Sequence, residues 1–159
     1  MNKKMRVANR AIEKEEIIEV LKSAEYGVLS TISVDNTAYG VPLNFAYKDG
    51  AIYFHCALEG HKIENLQNNS SGCLTIVDSV KLLSSAFSTE YRSVIVFGSV
   101  HLVTDEQEKR EGLISIVEKL SPDFLEKGIA YVDKAFNKAQ VLRMDIENMT
   151  GKANKPPQR

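Results

Sequence analysis

Short apolar runs punctuate the chain, and their period switches between that of a helix and that of a strand. Ile17, Ile18 and Leu21 recur at helical spacing with acids on the other face, which predicts a helix from Lys14 that stops at Gly27. Over residues 28–34 the period becomes two: Val28, Ser30, Ile32 and Val34 alternate with Leu29, Thr31 and Ser33, a strand with one drier face. Residues 39–47 read as a second strand. Pro42 within it cannot donate to a ladder, so it marks an edge, a bulge or a point of ligand approach. Asp49-Gly50 turns the chain into a third strand running to His55, Gly60 frees the backbone, and residues 62–67 form a short helix with Ile63 and Leu66 on one face.

Residues 73–77 give a fourth strand, and residues 78–90 read as a structured connection over a buried surface. Residues 91–103 form a long fifth strand whose Gly98 signals a bend or bulge. Thr104 with Gln107 fits a capping box opening a helix that turns Leu113, Ile114, Ile116, Val117 and Leu120 inward. Further helical segments follow, one capped by Ser121 with Pro122 as its first residue and one over residues 131–137. Residues 140–147 alternate as a last strand. Six strands with hairpin-length turns and helices confined to particular connections argue for a mainly β fold, an antiparallel barrel with peripheral helices.

A length of 159 residues favours one domain over residues 1–159, with an N-terminal arm at 1–11 and a C-terminal tail at 150–159. The arm is polar and basic, and it stays loose unless something outside this subunit's core holds it down. Lys plus Arg number 20 against 21 acids, so the basic balance of a nucleic-acid binder is missing and no nucleic-acid partner is expected. No run has the apolar length of a membrane span or signal core, and Cys56 and Cys73 lack Cys-x-x-Cys spacing, which reads as a cytoplasmic chain with reduced thiols. His55 and Cys56 are adjacent in a strand and point to opposite faces, so no metal site is expected.

The densest chemistry lies where the third strand gives way to the short helix. Free N–H groups and the positive dipole end at a helix start suit a phosphate, and His61 and Lys62 add donors and charge; a plain strand-to-helix turn with a solvated lysine fits the same residues. His55 suits proton delivery or nucleophilic attack, or a hydrogen bond at a strand end. No Gly-x-Gly-x-x-Gly is present, so a nicotinamide donor would bind transiently rather than in a Rossmann domain of its own.

Four pieces in order, Gly40-Val41-Pro42-Leu43, Tyr53-Phe54-His55 through Gly60-His61-Lys62, Tyr91-Arg92-Ser93-Val94-Ile95-Val96-Phe97-Gly98, and Met144-Asp145-Ile146 with Thr150-Gly151-Lys152, carry a resemblance. They resemble the FMN-binding split-barrel family related to pyridoxamine 5'-phosphate oxidase, within its nitroimidazole-resistance branch. The resemblance implies a six-stranded antiparallel Greek-key split barrel, an obligate homodimer, and FMN in grooves along the subunit interface. It implies a flavoprotein oxidoreductase reducing a small acceptor such as a nitroaromatic, with NAD(P)H as a transient donor. It places His61 and Lys62 at the FMN phosphate, the backbone of Pro42, Leu43 and Asn44 along the isoalloxazine, and His55 beside the ring as the catalytic group. Tyr91, Arg92 and Ser93 would add side chains, Arg92 at the phosphate or at the dimer contact. Thr150, Gly151 and Lys152 would come from the other subunit. The aromatic that usually follows the final strand is missing; Met149 stands there, and the chain has no Trp. Other readings are a pyridoxamine-phosphate-type oxidase, and a non-catalytic flavin- or haem-binding barrel in which His55 or His101 ligates iron.

Overall fold

Turn chemistry starts the sheet. Asp49 and Gly50 both take positive φ, 51° and 83°, the twisted two-residue turn that matches the twist of the strands it joins. It links β2 (Ala38–Lys48) to β3 (Ala51–Cys56). The hairpin from β1 (Tyr26–Ile32) to β2 turns at Asp35, whose carboxylate accepts from the Thr37 amide and hydroxyl. With β4 (Ser71–Leu83), β5 (Ser88–Leu102) and β6 (Gln140–Asn154), the strands close an antiparallel barrel in the order β1-β2-β3-β6-β5-β4. The computed structural model describes residues 5–154.

The barrel interior is filled by Leu29, Phe45, Ile52, Phe54, Leu74, Ile76, Val94, Val96, Leu142 and Met144, all fully buried. Helix α1 (Lys14–Ser23) adds Ile17, Val20 and Leu21 to this core, and α2 (His61–Asn68) adds Ile63 and Leu66. Helices α3 (Glu106–Leu120) and α4 (Leu125–Ala135) lie outside the wall, where Leu113 and Val132 join Ala51, Tyr53, Val103 and Val141 in a second apolar cluster. Closing six strands requires a sharp bend, and Gly98 supplies it. The β5–β6 register shifts there, and a Cβ on Gly98 would sit on the Asp145 carbonyl.

Of the two alternating faces of β1, the drier is that of Gly27, Leu29 and Thr31, while Val28 and Ile32 are each 37% exposed and face out. Four expectations change. Residues 78–90 are no covered connection. β4 and β5 extend into a projecting hairpin that keeps Val80, Leu82 and Phe87 in solvent. The cap of α3 is Asp105, whose carboxylate accepts from the Glu108 amide at 2.7 Å, one residue later than Thr104. β6 runs through Thr150, Gly151 and Lys152, so these are strand rather than tail. The arm is held by its own chain: Ala11 bridges Lys152, the Ile12 amide donates to the Gly151 carbonyl, and Gly151 has room for no side chain beneath Ile12 and Ile17. Residues 1–4 of the expected arm and 155–159 of the expected tail lie outside the described residues. No helix among the described residues is long and apolar enough to cross a membrane.

Candidate functional site

Unequal strand lengths open the wall beside β2. β3 pairs with β2 only over Phe45–Lys48, whereas β1 pairs with β2 from Ala38 to Asn44. Residues 38–44 therefore have a strand on one side alone, and the stretch with Pro42, Leu43 and Asn44 presents a free backbone edge. Pro42 fits there because an edge does not need its missing N–H. The Asn44 amide is anchored to the Glu25 carbonyl at 2.9 Å, which fixes the strand as it leaves β3 behind.

Two groups flank this edge. At one end His55, one residue beyond the last β2–β3 pair, turns its side chain out to solvent while Cys56 turns into the core. Burial pushes the Cys56 thiol up, with Lys62 drawing it partly back, so it is a poor nucleophile. At the other end α2 begins. Gly60, at φ 135°, precedes its first turn, and its carbonyl takes the amides of Ile63 and Glu64. The amides of His61 and Lys62 have no helical carbonyl ahead of them. The His61 ring packs tilted by 44° against that of Tyr39 on β2, centroids 4.3 Å apart, and its Nε2 is hydrogen-bonded to Ser33 Oγ at 3.0 Å. These two contacts tie the helix start to the unpaired end of β2. From Tyr39 to Asn44 the edge runs roughly 16 Å at strand rise. An elongated ligand with an anion at one end and a planar ring at the other matches that arrangement.

The remaining site residues lie elsewhere. Tyr91, Ser93, Thr150 and Lys152 share the outward face of β5 and β6, with Lys152 Nζ 5.7 Å from the Tyr91 ring centroid. Lys152 first and Arg10 second hold the Tyr91 hydroxyl below its ordinary pKa. Pro42 faces outward in the same transverse row, through Val28, Thr75 and Ile95 to Thr150. The row crosses the curved wall over five strands, with Pro42 on β2 and Thr150 on β6 at its ends. Arg92 lies on the opposite face, bound by Asp78 at 2.6 Å and flanked by Glu16 and Glu19. Gly151 is buried under the arm. His101 is exposed beside Asp145. Among the described residues no cluster of metal-ligating side chains occurs.

Two clefts are acidic, and another of about 370 Å³ by α3 carries Lys22, Lys48 and Lys119 against Glu118. Of the acidic two, one of about 410 Å³ beside His61 carries Asp35 and Glu64, and one of about 590 Å³ by Arg92 carries five glutamates. An anion is better served by the first turn of α2. Sequence reasoning missed Ser33 and Tyr39 as supports of His61, since nothing in their spacing ties a turn's flanks to a helix over twenty residues on.

The fold has known relatives. A candidate 5-nitroimidazole antibiotic resistance protein from Bacteroides thetaiotaomicron is 30% identical, covering 89% of this chain and 85% of its own, with a TM-score of 0.77. The flavocytochrome Anf3 from Azotobacter vinelandii superposes at 0.83 with 21% identity over 97% of this chain and 73% of that one. An FAD-binding protein from Mesorhizobium loti does so at 0.64 with 22% identity over 92% and 98%. These last two share the fold alone. No curated protein matches the chain. The pyridoxamine 5'-phosphate oxidase family model matches residues 13–153, nearly the whole described structure, and the chain belongs to that family.

Proposed function

We propose that this chain is an FMN-binding oxidoreductase of two identical subunits, acting in the cytoplasm, that passes electrons from a reduced nicotinamide to a small acceptor such as a nitroaromatic. The observation that carries the reading is the free edge of β2 with the start of α2 at one end and His55 at the other. The His61 and Lys62 amides and the Lys62 ammonium would hold the phosphate, and the backbone of residues 42–44 would lie along the ring. The flavin supplies the redox chemistry; the protein orients it and supplies protons. His55, exposed at the ring end, is placed to donate a proton to a reduced acceptor. The relative from Bacteroides, similar over most of its length, motivates the nitro group as acceptor.

The bare outward face supports a second copy. Tyr26, Val28, Ile32, Val77, Ile95 and Phe97 expose apolar surface on adjacent strands, and with the hairpin they reach on the order of 1,000 Å². A monomer's largest patch is typically about 300–600 Å², and a stable partner covers about 800 Å² per side. Stacking two such faces would also bring Thr150 and Lys152 of one copy toward the β2 edge of the other. A pyridoxamine-phosphate-type oxidase is the weaker reading. It needs further basic groups for a second phosphate, and Arg92, Arg110 and Arg143 are each committed to carboxylates.

The test is Lys62→Ala. FMN affinity should fall about 10- to 100-fold with the two-subunit state intact by light scattering. Wild-type protein that ignores added FMN would overturn the proposal. A His55→Ala protein that keeps FMN and full turnover would remove the proton-donor role alone.

A further inference from the structure

Past Asp78 on β4 and Tyr91 on β5 the hairpin has no further paired strand among the described residues. β1 pairs with β4 only at residues 73–75, and β6 accompanies β5 no further than Tyr91. Lys81, Leu82 and Leu83 pair with Glu90, Thr89 and Ser88 as a two-stranded ribbon tethered on its β5 side by the Asn154 side-chain amide, which donates to the Thr89 carbonyl at 2.5 Å and to Ser88 Oγ at 3.3 Å. Such a ribbon is only marginally stable in water unless it packs on something.

Val80 and Leu82 are aimed in one direction. Without interruption, the alternation that puts Val77 outward would put residues 79 and 81 outward as well. Ser79 instead takes φ 49° and the register shifts between Asp78 and Val80, so Val80 pairs with Tyr91 and Leu82 with Thr89. The bulge brings Val80 and Leu82 onto the face of Val77, Ile95 and Val28. The exposed stripe of the barrel thus continues without a break onto the ribbon, where Val80 is 60% and Leu82 73% exposed. At the tip Phe87 adopts left-handed φ and ψ of 48° and 41°, costly for a bulky side chain, and its ring is 99% exposed.

We infer that the 78–90 hairpin is an arm that packs Val80, Leu82 and Phe87 onto a second copy of this chain. The inference rests on the two-subunit reading and extends it by naming the clasp. Continuity with the bare barrel face favours a second copy. A lipid surface is disfavoured, because Lys81 is the single cation in residues 79–89 and Glu90 stands opposite it.

The chain contains no Trp, so Phe87→Trp installs a single emitter at the tip. At concentrations where the protein is a dimer, its emission should be blue-shifted and shielded from iodide. On dilution through the dissociation midpoint it should shift red and become quenchable. The Leu82→Ser/Phe87→Ser protein should keep its circular dichroism and weaken the dimer at least tenfold. A dimer whose Trp is as quenchable as free indole overturns the arm while leaving two subunits in place. A blue shift produced only by phosphatidylglycerol vesicles overturns it in favour of a membrane. A wild-type monomer at every concentration overturns the two-subunit reading and the arm together.

Discussion

The two sides of the barrel wall carry the same kind of strand and meet different fates. Over β3 and β6, outward residues Ala51, Tyr53 and Val141 are roofed by Leu113 of α3 and Val132 of α4, and all of them are buried. Over β1, β4 and β5, outward residues Val28, Val77, Ile95 and Phe97 have no roof among the described residues and stay 37–57% exposed. Where the chain covers its own strands it builds a second core. Where it does not, the same chemistry stays exposed. Outward apolar residues are therefore a statement about the roof, and the roof need not belong to the same chain.

The sharpest break of this comparison is a matched pair of carboxylates. Val141→Asp puts an unpaired charge under α3 and should cost about 4 kcal/mol or more, enough to unfold the protein in denaturant titrations. Ile95→Asp on the bare side should leave the stability of the monomer within about 1 kcal/mol. It should weaken self-association about 30-fold or more, read by analytical ultracentrifugation. Equal unfolding by the two would erase the distinction between the sides.

Smaller effects sharpen it from the roofed side. Asp105→Ala removes the cap of α3 and should lower stability by about 1 kcal/mol in urea midpoints, without changing self-association. A pH slope follows at Lys119, whose ammonium reaches inward from α3 to the Leu21 carbonyl at 3.0 Å and lies 3.7 Å from the Phe45 ring centroid. Burial lowers its pKa from 10.5 to about 8. Folding then releases a proton between those values, so the cost of holding the charge is fully present below pH 8 and is relieved as pH rises toward 10.5. Against Lys119→Met, the wild type should gain relative stability from pH 7.5 to 9.5; a relative loss would contradict the burial of this amine.

Local signals were legible in the sequence, and relations between distant segments were not. Asp49-Gly50, Pro42 and Gly98 each name a backbone geometry that their own chemistry demands, and the barrel follows from such turns and bends. A period of two says that β1 alternates but not which face is inside. The more apolar set, Val28, Ile32 and Val34, turned outward on the unroofed side. Thr104 and Asp105 each stand three residues before a Gln or Glu, and spacing alone does not decide between two capping boxes one step apart. Residues 78–90 were misread because an apolar stripe implies burial only when a cover exists within the chain. At the candidate site the α2 start was visible from Gly60-His61-Lys62. The free edge of β2 was not, because it arises from the mismatch between eleven residues of β2 and six of β3.

The position of β6 in the barrel bears on how the protein is made. It is the final strand in sequence, yet it sits between β3 and β5 and also pins Ala11 and Ile12. Until residue 152 has left the ribosome, β3 and β5 each have an open flank and the first helix lacks one of the strands it packs on. Such long-range closure is slow, and the waiting strands are prone to pair with strangers. A ribosome-bound chain stalled before Gln140 should accordingly recruit holdase chaperones, and release should come with the last fifteen residues of the sheet.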